Sequence, residues 1–202
     1  SGRIAPQILR FAMPVLLGLV FQRIYNFADS YIVGHFLGDN ALAAVSVAGV
    51  GMYLVFSLII GLTTGVTVVM SQYYGAKEED KVVKTFFSSI FIALGMTILV
   101  TVIGLLTTRP LLIVLQTPAE VLDAAVLYLR IICAGSVGTM LYNWISAVLR
   151  SLGNSVVPLI FLGISSLLNI VFDILFVAVI PMGVGGAAFA TVLAQIISGV
   201  AC

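Results

Sequence analysis

The chain has 202 residues, of which 61% are hydrophobic and only 8% are charged. Because soluble domains carry roughly 25% charged residues, this composition excludes a soluble globular domain, a disordered chain and a nucleic-acid-binding module. The chain is therefore predicted to be an integral membrane protein. The net charge of +1 is uninformative, but the positions of the charges are not.

Long stretches without a charged side chain mark the membrane-spanning helices. A span needs about 20 residues, so the chain has room for about six spans. Turn-forming residues and one charged run, at 77–81, separate them. The predicted spans are 11–37, 45–74, 85–107, 118–149, 158–180 and 185–202. The sequence thus predicts an all-α bundle of six transmembrane helices.

The basic residues predict how this bundle sits in the membrane. Six of them fall in the N-terminal segment and in the loops on the same side of the bundle, and one falls on the opposite side. The six are Arg3, Arg10, Lys77, Lys81, Lys84 and Arg150, and the one is Arg109. Because cytoplasmic loops are enriched in Lys and Arg, we expect a multi-pass protein of the cell membrane with a cytoplasmic N-terminus.

Four charged side chains lie well inside the predicted spans, away from their ends, namely Arg23, Asp29, Arg130 and Asp173. Each costs at least about 2.5–3.5 kcal/mol on insertion scales, which favours a functional role. At 1.5 Å per residue, Asp29 lies about 27 Å and Asp173 about 22 Å from the cytoplasmic ends of their helices. Thr191 lies about 9 Å inward from the outer end of the last helix. All three are therefore predicted in the outer half of the membrane.

Each aspartate has a polar neighbour on its own helix face. Tyr25 precedes Asp29 by four residues, and Asn169 precedes Asp173 by four. Together with a hydroxyl, this set of oxygens suits a small hard cation such as Na+, and it equally suits protons. The alternative is that the two aspartates only hydrogen-bond across helices and hold the bundle together.

Three further residues in the spans have open interpretations. Pro14, near the start of the first span, is either a hinge that bends when Asp29 changes charge or an ordinary N-terminal proline. Arg130 can pair with an acidic residue of its own helix or extend toward the interface. Arg23 has no predicted partner.

Nothing in the sequence indicates an enzyme. The common catalytic motifs GxSxG, HExxH, Walker A and CxxC are absent, and there is a single histidine. The two cysteines, Cys133 and Cys202, lie in apolar surroundings and predict neither a zinc site nor a disulfide framework.

Several separate motifs resemble one known family. The stretch QRIYNFADSYIVGHFLGDNALAAV (22–45) looks like the first helix and loop of MATE (multidrug and toxic compound extrusion) transporters. Segments 61–65 and 71–77 resemble the second helix of that family and the loop after it. Segments 150–158 and 181–188 resemble the connections before and after the fifth helix. The resemblance covers nearly the whole chain and is closest to the prokaryotic branches.

The resemblance implies a fold and an activity that composition and spacing do not. Family members export organic, often cationic compounds in exchange for Na+ or H+, and they have twelve helices in two six-helix lobes around a V-shaped cleft. It implies a coupling-ion site at Asp29, Asn169, Asp173 and Thr191, with Tyr25 nearby and Pro14 at the bending position. It implies no cofactor besides the coupling ion, small-molecule substrates, contact with membrane lipid and no nucleic-acid partner.

The chain departs from the family in length, since family members are roughly twice as long. It resembles the N-terminal lobe alone, which is expected to be a fragment, an engineered half or one subunit of a homodimer. One alternative function is a lipid-linked-oligosaccharide flippase of the same superfamily, which ranks lower because Arg23 and Arg130 are the only arginines inside the predicted spans. A second alternative is a membrane assembly module that transports nothing.

Overall fold

The computed structural model describes residues 4–202, apart from the side chains of residues 4–8, 10, 11 and 55. Arg3 and the side chain of Arg10, on which part of the predicted orientation depends, lie outside the described residues. The helices are α1 (Ile4–Leu37), α2 (Asp39–Gly75), α3 (Glu79–Val114), α4 (Ala119–Ala134), α5 (Ser136–Ser151), α6 (Val156–Asp173), a π-helical segment (Ile174–Val179) and α7 (Gly183–Ala201).

Length and hydropathy identify most of these helices as membrane spans. In the described residues, α2, α3, α6 with its π-helical extension, and α7 are each long and apolar enough to cross a bilayer. The pair α4 and α5 makes a fifth span, with a bend of 48° between its halves. The helix α1 is not among these, but its 34 residues are ample to cross, and its polar residues include Arg23, Asn26 and Asp29.

The fourth predicted span, 118–149, is not one straight helix. It breaks at Gly135, where α4 ends and α5 begins. A side chain at Gly135 would collide with Val192 of α7, and one at Gly138 would come within 2.5 Å of Ile196. The two glycines therefore let α7 pack against the bend itself, and this dependence on a distant helix is why the sequence pattern did not reveal the break.

The third span also differs from its predicted bounds. The sequence places a turn at Arg109 and Pro110, whereas α3 continues through Pro110 to Val114. A proline inside a helix leaves one carbonyl without its usual donor, and here it falls close to the helix end. Arg109 contacts Asp123 of α4 at 2.9 Å, although both side chains are largely exposed and such pairs add little stability. Since Asp123 contacts Arg109, the exposed Arg130 does not take it as a partner.

The helix α7 lies at the centre of the packing. It contacts α4, α5 and α6 closely, and half of its most apolar stretch is buried. The small side chains on its first turns allow this close approach, as is usual for helices that pack in membranes. The fully buried residues of this stretch are Ala187, Ala188 and Ala190. This position carries Thr191, the next residue, into the interior of the bundle.

A close backbone contact at the start of α7 predicts a measurable cost for one added methyl group. A Cβ at Gly186 would lie 2.7 Å from the backbone oxygen of Phe176, which cannot rotate away. We expect Gly186→Ala to lower the free energy of unfolding by about 1–3 kcal/mol through overpacking, measured as a lower unfolding temperature in detergent. The control is Gly163→Ala, whose Cβ would have no neighbour within 4 Å. Equal unfolding temperatures for the two variants would contradict this packing.

Candidate ion-binding site

A cavity of about 460 Å³ opens between α1, α2 and the helices α4 to α7. Its wall is unusually polar for the interior of a membrane protein. The polar residues at its ion-site end are Tyr25, Asp29, Tyr128, Asn169 and Thr191. Polar and ionisable groups at such a depth are costly, so their concentration in one cavity makes it the candidate functional site.

The helix α1 contributes Tyr25 and Asp29, one turn apart on the face toward the bundle. Asp29 is 7% exposed. Its Oδ1 atom has no hydrogen-bond partner among the described residues. A negative charge on this carboxyl group is therefore not balanced at Oδ1 by any hydrogen-bond donor of the described residues.

The helix α6 contributes Asn169 and Asp173, which are both almost completely buried. The carboxyl groups of Asp173 and Asp29 face each other closely enough to interact directly. Both carboxyl oxygens of Asp173 lack a donor in the part of the chain that the structure describes. Asp173 is also the last residue before the π-helical segment, a rare geometry that often occurs at functional sites.

The helix α7 contributes Thr191 and fixes the orientation of Asn169. The amide Nδ2 of Asn169 donates a hydrogen bond of 3.2 Å to Oγ1 of Thr191. This bond uses the nitrogen end of the amide and leaves Oδ1 of Asn169 without a partner among the described residues. The structure thus brings together all five residues predicted for the site, from three helices that are distant in sequence.

One aromatic residue was missed by the sequence reasoning. Tyr128 of α4 is 3% exposed, lines the same cavity and has its hydroxyl beside Thr191. By helix rise it lies about 14 Å from the start of α4, in the outer half of the predicted span. Helix rise gives the depth of Tyr128 but not the direction in which its side chain points, so the sequence pattern does not assign it to the site.

The chemistry of this donor set fits a hard cation or a proton. Four buried oxygens without donors converge from α1 and α6, namely Asp29 Oδ1, Asn169 Oδ1 and both carboxyl oxygens of Asp173. Buried acceptors of this kind are normally satisfied, because leaving one unpaired costs about 1–3 kcal/mol. The described residues contain no group of three or more His, Cys, Asp or Glu side chains that could together hold a metal ion. A set of carboxylate, amide and hydroxyl oxygens without His or Cys is typical of hard cations, whereas zinc sites usually include His or Cys.

The remaining predicted residues lie around the site and not in it. Pro14 lies inside an uninterrupted α1, about 22 Å below Asp29 by helix rise. Arg23 is exposed and lines the cavity, whereas Arg130 is exposed on α4 and does not line it. The hinge role of Pro14 stays a prediction, as does the ion-binding role of the five residues.

A second polar group lines the other end of the cavity, and the sequence reasoning did not single it out. The hydroxyl of Thr139 donates a hydrogen bond to Oε1 of Gln195, which joins α5 to α7. Asn143 donates to the backbone oxygen of Thr139 at 2.8 Å. The cavity therefore has two polar ends. The buried carboxyl groups of Asp29 and Asp173 lie at the first of them.

Paired carboxylates buried in a polar cavity of a helical membrane bundle are features of ion-coupled membrane transport proteins. The MatE family model matches residues 14–175, and the chain therefore belongs to the MatE family of transporters. It is 35% identical over 196 residues to the probable multidrug resistance protein YpnP of Bacillus subtilis, covering 96% of this chain and 44% of that protein. It is 27% identical to the probable multidrug resistance protein NorM of Thermotoga maritima, covering 96% and 42% respectively.

Solved structures confirm the predicted fold class. A crystal structure of a MATE in the bent conformation matches with a TM-score of 0.91 and 27% identity, covering 98% of this chain and 44% of that one. A MOP superfamily transporter from Pyrococcus furiosus, described as having a binding pocket of reverse polarity that suggests a different function, matches with a TM-score of 0.90 and 27% identity, over 96% and 43% of the two chains. The chain spans less than half the length of these proteins and has the fold of one MATE lobe.

The facing carboxyl groups predict a pH-dependent stability. At alkaline pH, where carboxylates are ionised, two negative charges confront each other in a medium that solvates them poorly. We expect Asp173→Asn to raise the unfolding temperature in Na+-free buffer at pH 9, and to change it less at pH 5. The measurement is thermal unfolding in detergent, and Asp123→Asn, which removes an exposed carboxylate, is the control. An Asp173→Asn protein that is destabilised equally at both pH values would contradict the repulsion.

Proposed function

We propose that this lobe forms one half of a Na+- or H+-coupled multidrug efflux antiporter, which exports organic, often cationic compounds by alternating access. The observation that carries the proposal is the convergence of four buried oxygens without donors at one end of a polar cavity. The names of the relatives, probable multidrug resistance proteins, support the choice of substrate class.

Coupling follows from the placement of the two carboxyl groups on different helices. Asp29 belongs to α1 and Asp173 to α6. A cation or proton between them cancels their repulsion and draws α1 toward α6, whereas the empty site favours separation of the two helices. An ion that binds more tightly to one arrangement of α1 shifts the lobe toward that arrangement. A substrate that binds more tightly to the other arrangement loses affinity by the same coupling free energy and is released.

The proposed substrate class follows from the same charges. The carboxylate of Asp29 lines the cavity, and that of Asp173 is buried beside it. In surroundings of low dielectric constant the two attract a cationic compound, and they attract it less once an ion has neutralised them. Substrate and coupling ion therefore oppose each other at this lobe, as an exchange mechanism requires. The polar groups around Thr139 and Gln195 give the cavity additional hydrogen-bonding positions.

The proposed transport cycle needs a second lobe. Gln22, Arg23 and Asn26 of α1 are exposed, although they line the cavity at membrane depth. Exposed polar groups at that depth need water or protein beside them. We propose that the C-terminal half of a longer chain, or a second copy of this one, completes the cleft. The oligomeric state in nanodiscs distinguishes the two, because a monomer requires the former.

One observation favours the flippase as a second candidate. The guanidinium of Arg23 lines the cavity and would bind a phosphate group of a lipid-linked cargo. It ranks second because the carboxylate of Asp29 also lines the cavity, with Asp173 buried beside it, and these negative charges repel such a cargo.

The test of the proposal is ion binding by the purified full chain. We expect Asp29→Asn and Asp173→Asn each to abolish Na+ binding, measured by calorimetry, or proton release, measured with an indicator dye. Asp123→Asn, an exposed acid of α4, should leave both unchanged. The helix content of each variant, measured by circular dichroism, shows that the bundle still folds. Wild-type ion binding in both site variants would overturn the proposal and leave the non-transporting assembly module as the better description.

A further inference from the structure

A second recess lies on the outside of the bundle, between α2 and α3, away from the ion site. This groove has a volume of about 620 Å³ and is lined almost entirely by apolar surface. The lining residues used below are Gly61, Gly65, Tyr73, Lys84, Thr85 and Ser88. Nothing in the proposed transport function uses these residues.

The groove has a polar end and an apolar end. Because α2 and α3 are antiparallel helices joined by a short loop at 76–78, Tyr73 and Lys84 lie near the loop, and Gly61 and Met96 lie far from it. The hydroxyl groups and the lysine occupy the loop end, and the far end is apolar. From Tyr73 to Gly61 the groove is about 18 Å long by helix rise. That length matches one leaflet of a bilayer whose hydrocarbon core is about 30 Å thick.

Two glycines create the width of the groove. A Cβ at Gly61 or at Gly65 would meet nothing within 4 Å. A larger side chain at either position is therefore sterically tolerated by the protein, and it would project into the groove. The absence of side chains at these two positions therefore adds to the open space between α2 and α3.

Lys77 and Lys84 both lie outside the ion pairs found in the described residues, and of the two Lys84 lines the groove. Lys81 contacts Glu78 at 2.7 Å, and its Nζ lies 5.3 Å from the centre of the Tyr73 ring. Lys84 enters neither of the ion pairs found in the described residues. A free ammonium group at the mouth of an apolar groove is complementary to an anionic headgroup attached to a hydrocarbon chain.

We propose that this groove binds one acyl chain of an acidic phospholipid, with Lys84 contacting the headgroup phosphate. The chain lies over Gly61 and Gly65, and the hydroxyl groups of Thr85 and Ser88 lie at the level of the glycerol esters. A zwitterionic lipid binds less well, because its own ammonium group competes with Lys84. One lysine near an anionic headgroup corresponds to a preference of about fivefold.

The chain has one tryptophan, and it lies behind the wall of this groove. The indole Nε1 of Trp144 donates a hydrogen bond of 2.9 Å to Oγ of Ser89, and its ring contacts Phe86. Brominated acyl chains quench tryptophan fluorescence only at short range. Quenching of Trp144 by brominated lipid therefore reports directly on a chain in the groove.

The experiment uses the purified full chain in nanodiscs that contain brominated phosphatidylglycerol or brominated phosphatidylcholine at increasing mole fraction. We expect half-maximal quenching of Trp144 at about fivefold less phosphatidylglycerol than phosphatidylcholine. Lys84→Gln should remove this preference. Lys77→Gln makes the same change of charge in the neighbouring loop but outside the groove, and it should retain the preference.

A second pair of variants tests the groove independently of charge. Gly65→Leu should weaken quenching by both lipids, because its side chain occupies the path of the acyl chain. Gly95→Leu is the matched control, since Gly95 also has open space around its Cβ but does not line the groove. Equal quenching by the two lipids in the wild-type protein would show an ordinary lipid annulus and overturn the proposal. A loss of preference in Lys77→Gln as large as that in Lys84→Gln would also overturn it.

Discussion

The rest of this lobe depends on one constraint, which is that the carboxyl groups of Asp29 and Asp173 face each other inside the membrane. Two carboxyl groups in a nonpolar medium are stable only if something else supplies positive charge or protons. The surroundings are built to hold the pair and not to neutralise it, since Asn169 donates to Thr191 and presents its oxygen to the site. At this point in the interior, hydrogen-bond acceptors therefore outnumber donors. Small residues on α7 allow the helices to pack closely around the site.

Much of this arrangement could be predicted from the sequence because helix geometry converts residue spacing into depth. Residue spacing predicts Asp29, Asp173 and Thr191 at a similar depth, and the stretches without charged residues locate the spans. Residue spacing does not give the rotation of a helix about its own axis. Tyr128 points into the cavity because of how α4 packs against α2 and α7, so its part in the site could not be derived from spacing alone.

Local sequence signals failed where a distant residue decides the outcome. Gly135 breaks the fourth span because Val192 of α7 occupies the space that a side chain would need. Pro110, a strong turn signal, lies inside α3, and Leu112 in the same stretch is completely buried in the main hydrophobic cluster. In both cases packing against other helices of the assembled bundle overrides the local signal.

The contact between Gly186 and Phe176 has a mechanical consequence for the site. At this point the π-helical segment that follows α6 lies in close backbone contact with the first turn of α7. The backbone amide of Met182 donates a hydrogen bond of 2.8 Å to the backbone oxygen of Phe176 across the short connection. The two segments are thus joined at one closely packed corner, which links the position of Asp173 to that of Thr191. Asp29 belongs to α1, which is not part of this corner. One packed unit therefore positions two members of the site, and a separate helix positions the third.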